Sequence, residues 1–250
     1  MRLLADLHTH TVASGHAFST VTELATAAAE RGLELIAVTD HGPGVPGGPH
    51  PLYFHNLKAI PARIAGVRIL RGIEANVASA RGRLDLDDET LAQLDFVAIG
   101  FHPGFDFNDR DPDKVTEALL GAMENPLVDM VTHAGVRAVD PVAVAEAAAL
   151  LGVIIELNDL TFRAGSSRAG TGERERAVVA AAMAAGAPIA IDSDAHIHFD
   201  VGMRDGAIAV ARELGLTEER IVNRDAASVL AHLRARRPRP GLDAAEEGGA

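Results

Sequence analysis

The chain contains no cysteine, no tryptophan and a single tyrosine, Tyr53. Without cysteine there are no disulfides, no thiolate metal sites and no cysteine nucleophile, which suits a reducing compartment. Without tryptophan there is little to stack on the bases of a single-stranded nucleic acid. Basic residues are scarce, 23 Lys and Arg against 35 Asp and Glu, for a net charge of −12. That balance opposes a nucleic-acid partner, whose phosphates need Lys and Arg, although bound divalent cations would offset part of it locally. No apolar run is long enough to span a bilayer, and no basic flank with an apolar core opens the chain. The expectation is therefore a cytoplasmic protein with no membrane partner, its oligomeric state left open. The 250 residues, 48% of them hydrophobic, are evenly spread and can bury a sizeable core unaided. No composition break divides them, so one domain is expected over 1–235. The Pro-, Gly- and acid-rich stretch 236–250 is expected to be a flexible tail.

Short apolar runs alternate with amphipathic stretches. Strands are predicted around 3–5, at 33–38, 67–73, 96–100, 128–131, 153–157 and 188–191. Helices are predicted at 21–31, through about 64, and at 113–124, 141–150, 173–185, 203–214 and 225–235, with Ser19 and Thr20 as caps, Gly32 as a stop and Pro112 in a first turn. A Pro/Gly loop fills 43–51, and 77–86 suits a small hairpin around Arg81 and Gly82. Continuous apolar strands separated by helices imply a parallel sheet, either a closed barrel or a doubly wound open sheet.

What is abundant is histidine, eleven in all. In Asp6-Leu7-His8-Thr9-His10, two imidazoles fall on one face of a strand at a spacing that lets them share one metal ion, and His16 follows in a polar loop. The pattern recurs. His41, Glu74, His102, His133, and the pair Asp194 and His196 all fall at the C-terminal ends of predicted strands, the end where barrel enzymes gather their sites. Seven imidazoles and two carboxylates exceed the needs of one zinc ion, which takes about four protein ligands or three plus water. They suffice for three ions if a carboxylate bridges, as neighbouring cations about 3.5–4 Å apart require. Glu74 is the best bridge by chemistry. Nitrogen and carboxylate ligands without sulfur suit Zn, Mn or Fe. His50, His55, His198 and His232 fit the pattern less well. The loop residues Arg163 and Arg168 could hold a distal phosphate together with the N-terminus of the helix at Glu173.

The segments Asp6-Leu7-His8-Thr9-His10, Val38-Thr39-Asp40-His41-Gly42-Pro43, Arg71-Gly72-Ile73-Glu74-Ala75-Asn76, Gly100-Phe101-His102 and Ser193-Asp194-Ala195-His196 resemble the PHP (polymerase and histidinol phosphatase) superfamily. The likeness is to its stand-alone bacterial phosphatase branch, and the run from Thr11 to Thr20 is also typical of that branch. The resemblance extends to about Leu233. It implies an α/β fold, a distorted (βα)7 barrel of TIM-like type, with a trinuclear zinc site at the C-terminal ends of the strands. By that resemblance one metal would take His8, His10, Glu74 and Asp194. A second would take His16, His41 and His196. A third would take Glu74, His102 and His133. Two positions depart from the family pattern. Thr132-His133-Ala134-Gly135 stands where Ser-His-Pro-Gly is usual. Asp192 stands where glycine is common and adds a carboxylate near the metals. With Asp6 and Asp40, which neighbour ligand histidines in sequence, Asp192 completes a set of candidate catalytic carboxylates that could orient ligands or handle protons.

The chemistry then expected is hydrolysis of a small-molecule phosphomonoester by a metal-bridging hydroxide, without a covalent enzyme intermediate. Four alternatives stand beside it. An amidohydrolase barrel also opens with His-x-His, but its binuclear members commonly bridge through a carboxylated lysine on a strand. The only lysines here, Lys58 and Lys114, fall on or beside predicted helices. A PHP-type 3′–5′ exonuclease is opposed by the acidity and the lack of stacking residues. Histidinol phosphatase activity is compatible, though nothing reads an imidazole. A non-catalytic metal-binding module is the last.

Overall fold

A computed structural model describes residues 1–102, 104, 107–166, 168, 170–239 and 242. In chain order the elements are β1 (Ala5–Thr9), α1 (Val21–Glu30), β2 (Leu35–Val38), α2 (Pro51–Asn56), β3 (Arg63–Ile64), β4 (Val67–Asn76), α3 (Asp88–Leu91), β5 (Phe96–Gly100), α4 (Pro112–Met123), β6 (Met130–Val131), α5 (Pro141–Leu151), β7 (Ile154–Asn158), α6 (Gly172–Ala185), β8 (Ile189–Asp192), α7 (Asp205–Glu213) and α8 (Ala226–Arg236). Seven strands run parallel in the order β1-β2-β4-β5-β6-β7-β8, with β3 antiparallel on β4. This is the expected barrel, nearly closed.

Local chemistry sets the element ends. Thr20 and Glu23 form a capping box on α1, and Asp111 and Asp140 cap α4 and α5 ahead of Pro112 and Pro141. Gly152 and Gly186 close α5 and α6 in the left-handed conformation. The helix expected to run to about residue 64 stops earlier. It ends at Asn56, passes through a 3-10 turn and gives way to β3, because Pro61 cannot continue it and the turn at Ala65 and Gly66 needs positive φ. The four-residue α3 is unanticipated; Asp87 caps it by accepting from the Thr90 N–H. Ala78 pairs with Arg83 as the hairpin reading requires.

Two features of the barrel position the site. On β1, Asp6 pairs with Ile36 and Thr9 with Val38, so three residues on β1 match two on β2. This bulge inverts the alternation of faces. Ala5 and Leu7 lie in the barrel-interior cluster with Leu35, Leu70 and Phe96, and past the bulge His8 and His10 face inward too. The second feature is the β1–β8 seam. Its backbone contact is short, His10 N–H to Ala195 C=O at 2.8 Å and Ala195 N–H to His8 C=O at 3.3 Å. Below that, buried side chains stitch it. Arg204 donates to the carbonyls of Ala5, Ile191 and Leu3, and Asn223 to those of Ala5 and Ile191.

The opposite end of the barrel is plugged by Val229 and Leu233 of α8 and by Leu242. Of the stretch expected to be a tail, Arg236 ends α8, and Arg239 is buried, bonded to Asp129 and to the Asp95 and Leu233 carbonyls. The fold therefore continues past 235, because the buried Asp129 carboxylate draws these guanidiniums inward. Residues 240, 241 and 243–250 lie outside those described. No helix among the described residues is long and apolar enough to cross a membrane.

Candidate metal centre

Inward positions along the strands alternate between apolar residues low in the barrel and ligands high in it. Leu70 and Glu74 share a face of β4, and Ile154 and Glu156 a face of β7. The C-terminal ends thereby bring together all nine expected ligands. The Glu74 carboxylate is central. Its Oε2 lies 3.4 Å from His8 Nε2, 3.6 Å from His10 Nε2, 2.9 Å from His41 Nδ1 and 3.2 Å from His102 Nε2. Its Oε1 lies 2.6 Å from His133 Nε2 and accepts from the Thr132 hydroxyl at 2.7 Å. Asp194 Oδ1 lies 3.6 Å from His8 Nε2 and 3.3 Å from His10 Nε2. His16 Nε2 stands 3.2 Å from both His41 Nε2 and His196 Nε2. Among the described residues four trios, which share members, could hold a metal ion: His8, His10, Asp194; His8, Glu74, His133; His41, Glu74, His102; and His10, His41, His196. His41 thus offers Nδ1 towards Glu74 and Nε2 towards His16, an ambiguity that sequence spacing does not contain.

The donor set fits a cation on its own terms. His8 Nε2, His10 Nε2, His41 Nδ1, His102 Nε2, Glu74 Oε2 and Asp194 Oδ1 are buried without a hydrogen-bond partner, and they face one another. Buried polar atoms are costly unless satisfied; a shared cation would satisfy them together. Protonation states agree with this. Burial, reinforced by neighbouring imidazoles or by Arg168, lowers the pKa of His10, His16, His41 and His196 and brings His133 to about 4. These rings keep a free lone pair at neutral pH, as metal ligation demands. Burial would push the Glu74 carboxyl up, but His102, His8 and His133 outweigh it and hold it well below the usual range. Asp194 is likewise held low against its burial, by Arg168 and His8. His8 goes the other way: burial opposes its charge, yet Asp194, Glu156 and Glu74 raise it well above the ordinary value.

Behind the ligands lies a layer of holding contacts. Glu156 accepts from His8 Nδ1 at 2.7 Å and from the His133 N–H at 2.7 Å. Asp40 accepts from the Thr11 N–H, the Thr11 and Ser14 hydroxyls and the Tyr53 hydroxyl; Ser14 in turn sits 3.1 Å from His10 Nδ1 and 3.1 Å from the His41 N–H that donates to it. Asn76 Oδ1 fixes His102 Nδ1 at 2.6 Å. Glu175 accepts from the Gly135 and Asn158 N–H groups, and burial beside Glu156 pushes its carboxyl up to about 7. His133 and Asp194 adopt positive φ, +30° and +54°, a strained backbone at two ligand positions.

The other expected residues are placed as follows. Asp6 bonds the Ser193 N–H and hydroxyl and the Gly202 N–H. Asp192 accepts from the Leu7 N–H and from Asn223. Both lie at the β1–β8 seam and neither lines the cavity. A carboxylate at 192 stands in for a missing ladder carbonyl, which glycine could not do; burial and then Asp6 raise its pKa well above the usual range. Arg163 is engaged by Asp159 and Asp200. Arg168 reaches the centre, paired with Asp194. It lines an open cavity of about 590 Å³ with His16, His41, His102, Asp194 and His196. Sequence reasoning missed Glu156, Glu175, Ser14 and Asn76. The one available signal was a lone glutamate inside the apolar run Val153-Ile154-Ile155-Glu156-Leu157, where a charge must have a buried partner.

Comparison with known proteins adds three findings. The PHP domain family matches residues 6–158. A probable phosphatase of Caldanaerobacter subterraneus is 43% identical over 243 residues, 96% of this chain and 95% of that protein. One from Edwardsiella ictaluri is 43% identical over 237 residues, 94% of this chain and 95% of that protein. Among solved structures, the histidinol phosphate phosphatase of Lactococcus lactis, in complex with zinc, L-histidinol and phosphate, superposes with a TM-score of 0.56 at 18% identity, over 86% of this chain and 93% of that one. At that identity the likeness is one of fold.

Proposed function

This chain belongs to the PHP domain family, and from that premise we propose that it is a metal-dependent phosphatase that hydrolyses small phosphomonoesters at a trinuclear, zinc-type centre. The observation that carries the reading is the convergence of nine side chains able to ligate a metal, six of which turn a buried donor atom without a hydrogen-bond partner towards the others. His8, His10, Glu74 and Asp194 would hold one ion, His16, His41 and His196 a second, and Glu74, His102 and His133 a third. When bound, such a cluster lowers the pKa of its water from about 15.7 to near 7 and neutralises phosphoryl oxygens.

The chain's own residues supply the rest. Arg168, paired with Asp194 and 12% exposed at the cavity, is the one guanidinium among the described residues that line it, and would also meet a phosphate oxygen. Glu156 orients His8 and His133, and Asp40 orients His10 and His41 through Ser14. Asp194 at φ +54° aims one carboxylate oxygen at His8 and His10 and the other at Arg168. In this reading the imidazoles and the Asp194 carboxylate that line the cavity are committed to metal, and the Thr171 hydroxyl donates to the Arg168 carbonyl, which fits direct attack by water. A cytoplasmic location agrees with the chain's lack of cysteine.

The test is phosphate release from model phosphomonoesters by the zinc-loaded protein, beside a panel of carboxylic esters and amides, with metal analysis of the same sample. About three ions per chain and turnover of phosphate esters are expected, with kcat/KM falling at least 100-fold in His8→Ala and Asp194→Asn. Hydrolysis of the amides alone would overturn the proposal.

A further inference from the structure

The cavity lining is of two kinds. Its polar part includes His16, His41, His102, Asp194 and His196. Its apolar part is Val45, Phe101, Val136 and Leu160, one each from the segments that follow β2, β5, β6 and β7. Four loops thus contribute an apolar side chain to the lining of a cavity beside a centre built of charge, and of these Val136 and Leu160 remain partly exposed. A phosphoryl group against the metal ligands would occupy a small part of about 590 Å³; the remainder is room for the alcohol portion of the ester. Two carboxylates face this space, and both are neutralised: Asp194 by Arg168, and Asp200 by Arg163 at 2.7 Å. An ammonium group on the alcohol would meet no unpaired carboxylate among the described residues, and would have to shed its hydration against valine and leucine.

We propose that these apolar side chains form a leaving-group subsite for an uncharged, apolar alcohol, so that the substrate is a phosphomonoester of an apolar alcohol and not of an amino alcohol. The inference rests on the phosphatase reading above and names its substrate class. Each methylene buried against them contributes about a fourfold gain, until the cavity is filled.

The experiment uses the zinc-loaded full chain and two measurements. The first is kcat/KM for n-alkyl phosphates from methyl to hexyl, and for the isosteric pair propyl phosphate and O-phosphoethanolamine, which differ by CH3 against NH3⁺. The second is calorimetric binding of the matching n-alkylphosphonates, which cannot be hydrolysed and so report the subsite without turnover. A rise of about two- to fourfold per methylene in both measurements, and at least a tenfold preference for propyl phosphate over O-phosphoethanolamine, are expected. Leu160→Asp should cut that preference at least tenfold, mostly through KM, with Val136→Asp as the second variant should the first not fold. A flat alkyl series, or preference for O-phosphoethanolamine by the unaltered protein, would overturn the subsite while leaving the phosphatase reading intact. Phosphonate affinity that climbs with chain length while no ester is hydrolysed would support the subsite and overturn the phosphatase reading.

Discussion

Glu156 shows how much of this centre depends on residues that never touch the cavity. Its two oxygens hold the His8 ring and the His133 backbone at 2.7 Å each, and it is fully buried. Carboxylates behind metal-bound histidines fix the ring's tautomer and orientation. Glu156→Gln replaces one acceptor by a donor, so a 10- to 100-fold loss of metal affinity is expected, about what removing such a partner costs elsewhere. Competition with a chromogenic chelator measures it. A variant with an altered melting temperature but unaltered metal affinity would mean that Glu156 only supports the fold. The positive φ of Asp194 is tolerable because Asp and Asn bond locally in the left-handed region, so Asp194→Asn is expected to fold, separating loss of ligation from loss of structure.

At the scale of the element, close approach at strand ends decides the geometry. Gly100 ends β5, and a Cβ there would lie 2.4 Å from Thr132 Oγ1, 2.9 Å from the His133 ring and 3.1 Å from Glu74 Oε1. Gly100→Ala therefore drives a methyl group into the Glu74 carboxylate and its partners. A destabilisation of about 1–3 kcal/mol, seen in denaturant melts, is expected together with substoichiometric metal. Helix α6 contributes a different effect through Glu175. Its carboxyl titrates near pH 7 in the folded chain against about 4.5 unfolded, so between those values the folded state holds the extra proton and stability falls as pH rises. Glu175→Gln removes that slope. Measured without metal, the stability of the variant relative to the parent should shift in the variant's favour by up to ~3 kcal/mol between pH 5 and pH 8. A pH-independent difference would mean that Glu175 is already ionised in the folded protein.

For the whole molecule, the β1–β8 seam is where side chains take over from a short ladder in closing the barrel. Strand β1 brings His8 and His10, and the segment after β8 brings Asp194 and His196, yet the strands share little backbone pairing and rely on Arg204 and Asn223. Arg204→Met would leave the Ala5, Ile191 and Leu3 carbonyls without this donor, at a cost of about 3 kcal/mol, with hydrogen exchange rising first in β1 and β8. Metal should hold the same seam shut. Ligation at 1,000 times Kd adds about 4 kcal/mol per site, or about 12 kcal/mol for three ions, so chelation is expected to lower the melting temperature by roughly 25 °C. An unchanged melting curve after verified metal removal would contradict the three-ion centre.

The order of strands and helices, and the gathering of nine candidate ligands at one end of the barrel, were legible in the sequence because they depend on local periodicity and on the rule that parallel strands gather their C-terminal ends. Other features were not legible, because they depend on which groups meet across the barrel. The bulge in β1 that turns His8 inward is a register between two strands. The roles of Asp6 and Asp192 at the seam answer a ladder that does not close, and Arg239 is drawn in by an aspartate more than a hundred residues away. Arg163 and Arg168 look alike along the chain, but one is occupied by Asp159 and Asp200 while the other reaches the centre. Sequence determined which side chains are able to bind metal, through their chemistry and spacing. Tertiary structure decided which atoms face one another and which carboxylates are left without a proton or a partner, because burial and distance belong to the folded chain alone.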